Sequence, residues 1–212
     1  MHLLIIGATS GIGARTRETA LARGHQVRAM SRSAADQLEP AEGLEPFPGD
    51  ATNADDVARA VAGVDAVIVT LGIRERLAMI WEEERLFSDA TQVLLPAMEA
   101  AGVKRLIVVT GFGAGRSRAA MSTLESLGHK AILGRPYADK DRQEAMILES
   151  PLDWTIARPV ILTNNKATGK YRVLREPSEW RNGLISRGDV ADYLVKAAED
   201  ALDIRTDVVL AR

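Results

Sequence analysis

The 212-residue chain contains no cysteine, which excludes disulfides, thiol nucleophiles and iron–sulfur clusters at once. It has only three histidines, His2, His25 and His129, and their scatter offers no metal-ligand spacing, so no metal is expected. No apolar run approaches the roughly 20 residues of a membrane span. The first residues carry neither a basic segment nor a cleavage site, and their apolar side chains are already used by a strand. A formal charge of −2 supplies no positive field for nucleic acid or an anionic membrane. Internal repeats, low-complexity tracts and linkers are missing too. The expectation is a soluble, cytoplasmic protein without nucleic-acid or membrane partners. The length suits one large domain, or one with a small lobe, at about 150 residues per domain. With 46% hydrophobic residues, a sizeable core can form.

What is present concentrates at the start. Residues 3–13 read LLIIGATSGIG, an apolar strand that runs into a glycine-spaced turn and then into a helix. A buried parallel strand reads as a continuous apolar run, and Leu3-Leu4-Ile5-Ile6 supplies one. Gly7 permits a sharp turn, Gly11 a close approach of backbone to a pyrophosphate, and Gly13 close packing of the helix on the sheet. The helix, from Ile12 to about Arg23, points its free N–H groups and positive dipole end at the phosphates. Together these parts make a dinucleotide site, formed by Gly7, Thr9, Ser10, Gly11, Ile12 and Gly13.

Farther along, β-rich runs alternate with helical patterns, the signature of βα units and a parallel sheet. Strands are predicted over 26–30, 44–47, 66–70, 106–110, 154–157 and 207–210. Two prolines make the 44–47 strand short or place it near an edge. Helices are predicted from the cap at residues 50–53 through Val61, over 80–101 with Gly102 as the stop, over 140–149 and over 189–199. Pro96 predicts a kink or break. The connection 111–136 is long and glycine-rich, with a candidate helix over 119–127, and 160–183 reads as polar and irregular. These later connections, mainly 111–136 and 160–185, are expected to build a small substrate-side lobe.

A sheet of this kind binds its ligand outside the carboxyl ends of its strands. After the second strand stands Ser31-Arg32-Ser33, with Asp36 farther on. The guanidinium favours a phosphate by charge and forked hydrogen bonding, so NADP(H) is expected over NAD(H). Arg15 either helps with phosphate or faces water. Asp50, with Ala51 behind it, follows the third strand, where a carboxylate can receive an adenine amino group or cap the next helix. Leu71 and Gly72 end the fourth strand beside the ribose. Thr110 and Gly111 end the fifth toward the nicotinamide, and the Arg158-Pro159-Val160 turn closes the far side.

These residues carry a likeness. The chain resembles the atypical short-chain dehydrogenases, small single-domain NAD(P)H-binding proteins grouped with NmrA-like and flavin/biliverdin reductase B-like proteins. The likeness rests on GATSGIG at 7–13, Arg32, GDATNADDVARAVAGVDAVIVTLG at 49–72 and LLPAMEAAGVKRLIVVTGFGAG at 94–115. It continues in SPLDWTIARP at 150–159 and ISRGDVADYL at 185–194. It implies an α/β fold, a Rossmann-like doubly wound parallel sheet, with NADPH as cofactor.

The departures matter as much. Short-chain dehydrogenases usually use a Tyr-x-x-x-Lys pair, but if Lys140 is the family lysine, the tyrosine position holds Pro136. Tyr137 is one residue off, a rotation of about 100° on a helix. Gly111 stands where the usual serine belongs. The resemblance then implies a reductase without that relay, transferring hydride to a flavin-like or other conjugated planar acceptor. Lys140 is the candidate catalytic residue, and it is equally a candidate to steady the cofactor ribose or to begin a solvated helix. Arg74 and Phe112 are candidate acceptor contacts, with Trp81 and Trp180 as further stacking candidates. In ISRGDVA, Ser186 is expected to cap a helix, Asp189 to sit in its first turn, and Arg187 to pair locally. Two rivals stand beside the reductase. One is a non-enzymatic NADP(H) sensor with a protein partner. The weaker is an epimerase- or dehydratase-like enzyme acting on a nucleotide sugar.

Overall fold

The computed structural model describes residues 1–72, 85–121 and 137–212. Eight strands form one sheet: β1 (His2–Ile6), β2 (Gln26–Ser31), β3 (Leu44–Pro48), β4 (Ala66–Val69), β5 (Arg105–Val109), β6 (Asp153–Pro159), β8 (Arg172–Leu174) and β10 (Thr206–Ala211). Their order is β3-β2-β1-β4-β5-β6-β10-β8. All neighbours run parallel except β8, which pairs antiparallel with β10. β7 (Ile161–Thr163) and β9 (Leu184–Ser186) form a separate parallel pair. The helices are α1 (Gly11–Ala22), a short α2 (Ala34–Gln37), α3 (Ala54–Val61), α4 (Leu86–Ala101), α5 (137–149) and α6 (Arg187–Glu199).

Strand periodicity divides the core. Leu3 and Ile5 join the cluster on the α1/α6 face, and Leu4 and Ile6 join the one on the α3/α4 face. Ile107 and Val109 against Leu106 and Val108 repeat the division on β5. Side chains alternate across a strand, and both faces are covered, so these runs are apolar at every position. Chain order reverses between β1 and β4, which opens a crevice at the carboxyl ends of these strands.

Local signals explain most boundaries. Asn53 caps α3, its Oδ1 accepting from the amides of Asp55 and Asp56 at 3.0 Å each. β3, with Pro46 and Pro48, lies at the sheet edge. Three expectations need correction. α4 runs unbroken through Pro96; the proline and Gln92, whose carbonyl loses its helical partner, are both exposed, so that carbonyl is open to solvent. α5 is already helical at residue 137, so Lys140 sits within its first turn. Residues 160–183 are not wholly irregular, since they hold β7, β8 and a single turn over Pro177–Glu179. Three-residue strands are too short to show a period. Of the candidate helix 119–127, Ala119 and Ala120 end a 3-10 turn (Gly115–Ala120), and 122–136 lies outside the described residues. No helix among the described residues is long and apolar enough to cross a membrane.

Candidate functional site

A cleft of about 1110 Å³ lies along the carboxyl ends of the sheet, slightly above the usual range for small-molecule sites. Its floor begins where β1 stops. Gly7 turns at φ +89°, its N–H donating to the Met30 carbonyl at 2.9 Å. Gly7, Thr9, Ser10, Gly11 and Ile12 all line the cleft. Gly13 does not line it. The glycine lets α1 press onto the turn, because a Cβ there would sit 2.1 Å from the Gly7 carbonyl oxygen. Unlike α3 and α6, α1 has no side-chain cap and no acid in its first turn. Its amides are therefore left for a ligand anion. Arg17 braces the turn, donating to the Ala8 carbonyl at 2.8 Å. Arg15 instead pairs with Glu18 at 2.8 Å, outside the cleft.

At the end of β2, Ser31, Arg32 and Ser33 line the cleft, whereas Asp36 does not. Ser31 Oγ is buried without a hydrogen-bond partner among the described residues. Such an orphan is costly unless a ligand or water completes it. Asp50 and Ala51 follow from β3. Asp50 Oδ1 accepts from the amide and hydroxyl of Thr52 at 2.9 and 2.8 Å. Those bonds, with the charge of Arg32, hold its carboxyl below the usual range against the effect of burial. It does not cap α3; Asn53 does. Thr70, Leu71 and Gly72 continue the lining after β4.

The far end is built by Val109 and Thr110 after β5, Pro159 after β6, Leu86 of α4, Leu162 of β7, Lys140 of α5 and Arg187 of α6. Buried Asp139 ties α5 to α4, accepting from the amides of Phe87 and Ser88 at 2.8 and 3.3 Å. That contact holds the half-buried Lys140 in place, so its Nζ donates to the Thr110 carbonyl. The ammonium also faces the rings of Phe87 and Tyr137 at 5.0 and 5.4 Å. Burial pushes it down to about 8, with the Glu144 charge opposing. The off-register Tyr137 is nevertheless brought to the same strand end. Its hydroxyl fills the space over Gly111, where a Cβ would lie 2.6 Å from it. Burial pushes this phenol up to about 12.

Several expectations fail on packing grounds. Gly111 and Val160 do not line the cleft: the first is covered by Tyr137, and the second is core, its N–H donating to the Leu210 carbonyl at 3.1 Å. Phe112 is no stacking surface, being 6% exposed within the core with its N–H on the Pro159 carbonyl. Trp180 is buried beneath the guanidinium groups of Arg158 and Arg116, at 5.3 and 5.5 Å. Arg158 turns away from the cleft into a buried pairing with Glu144 and Asp207. Arg187 does pair locally, with Asn164, but it also lines the cleft. Ser186 caps α6 as expected, accepting from the Asp189 amide at 3.0 Å. Arg74 and Trp81 lie outside the described residues.

A glycine turn under an uncapped helix, at the point where strand order reverses, defines a dinucleotide-binding α/β protein. The orphaned Ser31 hydroxyl and the backbone cradle around Gly7 fit such a ligand. The sequence model of the NAD(P)H-binding family matches residues 7–201, and the chain belongs to that family. It is 32% identical over 195 residues to 3β-hydroxysteroid dehydrogenase/Δ5→4-isomerase of Mycobacterium tuberculosis. That match covers 86% of this chain but only 48% of the mycobacterial protein, so the chain spans about half the length of that relative. Among solved structures, ChuY, an anaerobillin reductase from Escherichia coli O157:H7, superposes with a TM-score of 0.80 at 29% identity. That similarity covers 100% of this chain and 97% of ChuY. A short-chain dehydrogenase/reductase of Veillonella parvula, solved with NADP, shares the fold at a TM-score of 0.82 and 20% identity. Its match covers 100% of this chain and 94% of that one.

Proposed function

We infer that this chain is an NADPH-dependent reductase that passes hydride to a flavin-like or other conjugated planar small molecule, without a tyrosine-based proton relay. The observation that carries this reading is the two-ended cleft. At one end, Arg32 and the unpartnered Ser31 hydroxyl flank the uncapped start of α1. At the other, Leu86, Val109, Pro159 and Leu162 offer apolar walls beside Lys140. NADPH, when bound, supplies the hydride. The protein contributes position and exclusion of water. Tyr137 suits no relay, because burial raises its pKa when a relay needs it lowered. Lys140, which lines the cleft and donates to the Thr110 carbonyl, would steady a ribose hydroxyl or give a proton to the acceptor. The likeness to an anaerobillin reductase supports a reductase reading and puts anaerobillin in the acceptor panel.

Two measurements test this. Calorimetry should show tight NADPH binding, and stopped-flow mixing of the NADPH complex with riboflavin, FMN, quinones and anaerobillin should show oxidation well above the uncatalysed rate. Equal rates with and without protein across the panel would remove the reductase and favour the sensor, which needs no acceptor. Arg32→Ala tests the cofactor preference separately. Loss of a charge-assisted phosphate contact should weaken NADPH binding roughly tenfold or more, with NADH nearly unchanged. Equal loss of both would mean that Arg32 supports its loop and does not read the phosphate.

A further inference from the structure

Arg187 stands in the cleft with no acidic partner among the described residues. It opens α6, directly after β9, and lines the cleft together with Leu162 and Pro159. Its one hydrogen-bond partner among those residues is neutral: Nη1 donates to Asn164 Oδ1 at 2.7 Å. The nearest acid in sequence, Asp189, is buried and fully engaged elsewhere. It accepts from the amides of Thr168 and Gly169 at 2.7 and 2.8 Å, and from the hydroxyls of Thr168 and Ser186 at 3.3 and 2.8 Å. Those bonds fasten the connection 164–170 to the start of α6. Gly188 packs on it so closely that a Cβ would lie 2.8 Å from the Ala167 Cβ. Asn164, the residue directly after β7, orients the guanidinium while leaving most of its five N–H donors unengaged.

Among the described residues three cations line the cleft, and they divide by position. Arg32 follows β2, and Lys140 is held on the Thr110 carbonyl after β5. Arg187 opens α6 directly after β9 of the small β7–β9 pair, away from the ends of β1, β2 and β4 where the glycine turn and Arg32 lie. A planar guanidinium held by one neutral bond, beside apolar walls, is built to receive a planar or tetrahedral oxyanion with two parallel hydrogen bonds. Resting on the reductase reading above, we propose that Arg187 determines acceptor specificity by binding an anionic oxygen group, carboxylate or phosphate, on the acceptor molecule. The apolar side chains hold the conjugated body, and the guanidinium fixes which end of it points outward.

The test is calorimetric binding of two matched pairs to the NADP⁺-loaded protein: FMN against riboflavin, and biliverdin against its dimethyl ester. Each pair differs in anionic groups, phosphate in one and carboxylates in the other, so the pair that discriminates identifies the source. The wild type should bind the anionic member of one pair roughly tenfold tighter or more, with the preference falling as salt is added. Arg187→Leu should shrink that preference to less than about threefold, and Arg187→Lys, which keeps the charge without the fork, should retain part of it. Equal affinities within both pairs, or a preference that survives Arg187→Leu, would overturn the proposal while leaving the reductase standing. A roughly tenfold loss of NADP⁺ affinity in Arg187→Leu would move the residue to the cofactor and overturn it as well. Failure of all four compounds to bind the wild type would overturn this proposal, while the reductase reading is decided separately by the oxidation rates over the wider acceptor panel. Melting temperatures of both variants show whether the fold is kept.

Discussion

Replacing Arg158 by methionine is expected to lower the unfolding free energy by about 3–5 kcal/mol, which for a domain of this size lowers the melting temperature by roughly 6–20 °C. Its guanidinium is 1% exposed and bridges two carboxylates that are nearly as deep. Nε and Nη2 donate to the two oxygens of Glu144 at 3.0 and 2.6 Å, and Nη1 donates to Asp207. The Trp180 ring closes one side, with the guanidinium 5.3 Å from its centroid. Methionine keeps the aliphatic stem of the side chain but leaves buried Glu144 without its hydrogen-bonded guanidinium and Asp207 with Arg116 alone. A buried ion cluster is a weak source of stability when complete and a large liability when one member is removed.

The pH dependence gives this prediction a second signature. In the wild type, burial pushes the Asp207 carboxyl up, but the hydrogen bonds and charges of Arg116 and Arg158 outweigh it and hold the group below the ordinary range. That contribution is present above the unfolded carboxylate pKa and is lost only as pH falls through the lower folded value, so stability should be nearly flat from pH 7 to 5. In the variant Asp207 keeps Arg116 but loses both contributions of Arg158, so burial weighs more heavily and its carboxyl rises. Less stabilisation is then left to lose as the carboxyl protonates. The deficit against wild type should narrow as pH falls through the carboxylate range. Urea unfolding at several pH values measures this directly. A change in melting temperature below about 3 °C, or a deficit that widens on acidification, would mean that the cluster does not carry this load. Cofactor affinity should also fall, because Glu144 accepts from the Thr110 hydroxyl at 2.7 Å and the Thr110 carbonyl receives Lys140.

That cluster marks the limit of what was legible in the sequence. Features encoded within one strand or one turn could be read directly. The apolar run of β1, the glycine turn, the edge position of the proline-bearing β3 and the Asn53 and Ser186 caps all depend on neighbours a few residues away. Knowing that ligands bind past strand ends was enough to bring Arg32, Asp50, Leu71, Gly72, Thr110 and Pro159 to the cleft, whereas Lys140 of α5 came from the family resemblance. Arg158 looked like one more strand-end residue. Its side chain turns inward because Glu144 and Asp207 lie 14 and 49 positions away in sequence, and no local pattern announces such a meeting. Phe112 failed for the same reason: one residue past Gly111 the chain dives into the core, and an aromatic after a strand reads alike in either case. Tyr137 is subtler. A one-residue shift in register argued for rotation away from the site, yet the missing side chain at Gly111 leaves room for the displaced ring to reach the same strand end. Arg187 carried a signal in its motif, but its exposure to the cleft follows from the β7–β9 pair, whose strands are too short to be predicted.

Gly13→Ala should abolish NADPH binding and destabilise the fold by about 3 kcal/mol, an effect out of proportion to a single methyl group. The added Cβ would sit 2.1 Å from the Gly7 carbonyl oxygen and 2.5 Å from the Thr70 hydroxyl. The carbonyl is backbone, fixed by the turn, so it cannot swing aside. The hydroxyl is engaged, donating to the Ile6 carbonyl at 3.0 Å and reaching the Gly7 carbonyl at 3.4 Å. The first turn of α1 must therefore lift off β1 and β4 together, which moves its free amides from the place where a pyrophosphate would meet them. Gly24→Ala is the matched control. That glycine lies just past the end of α1 at φ +80°, with nothing within 4 Å of its Cβ position. It should lose about 1–2 kcal/mol to the left-handed backbone and bind NADPH as the wild type does. Stability and calorimetric affinity measured on both variants separate backbone strain from displacement of the helix. If Gly13→Ala binds NADPH within about threefold of wild type, close contact between α1 and the turn is not what forms the phosphate site. If Gly24→Ala loses binding as well, the two variants act through general destabilisation, and the assignment of the turn rests on Arg32 and Ser31 alone.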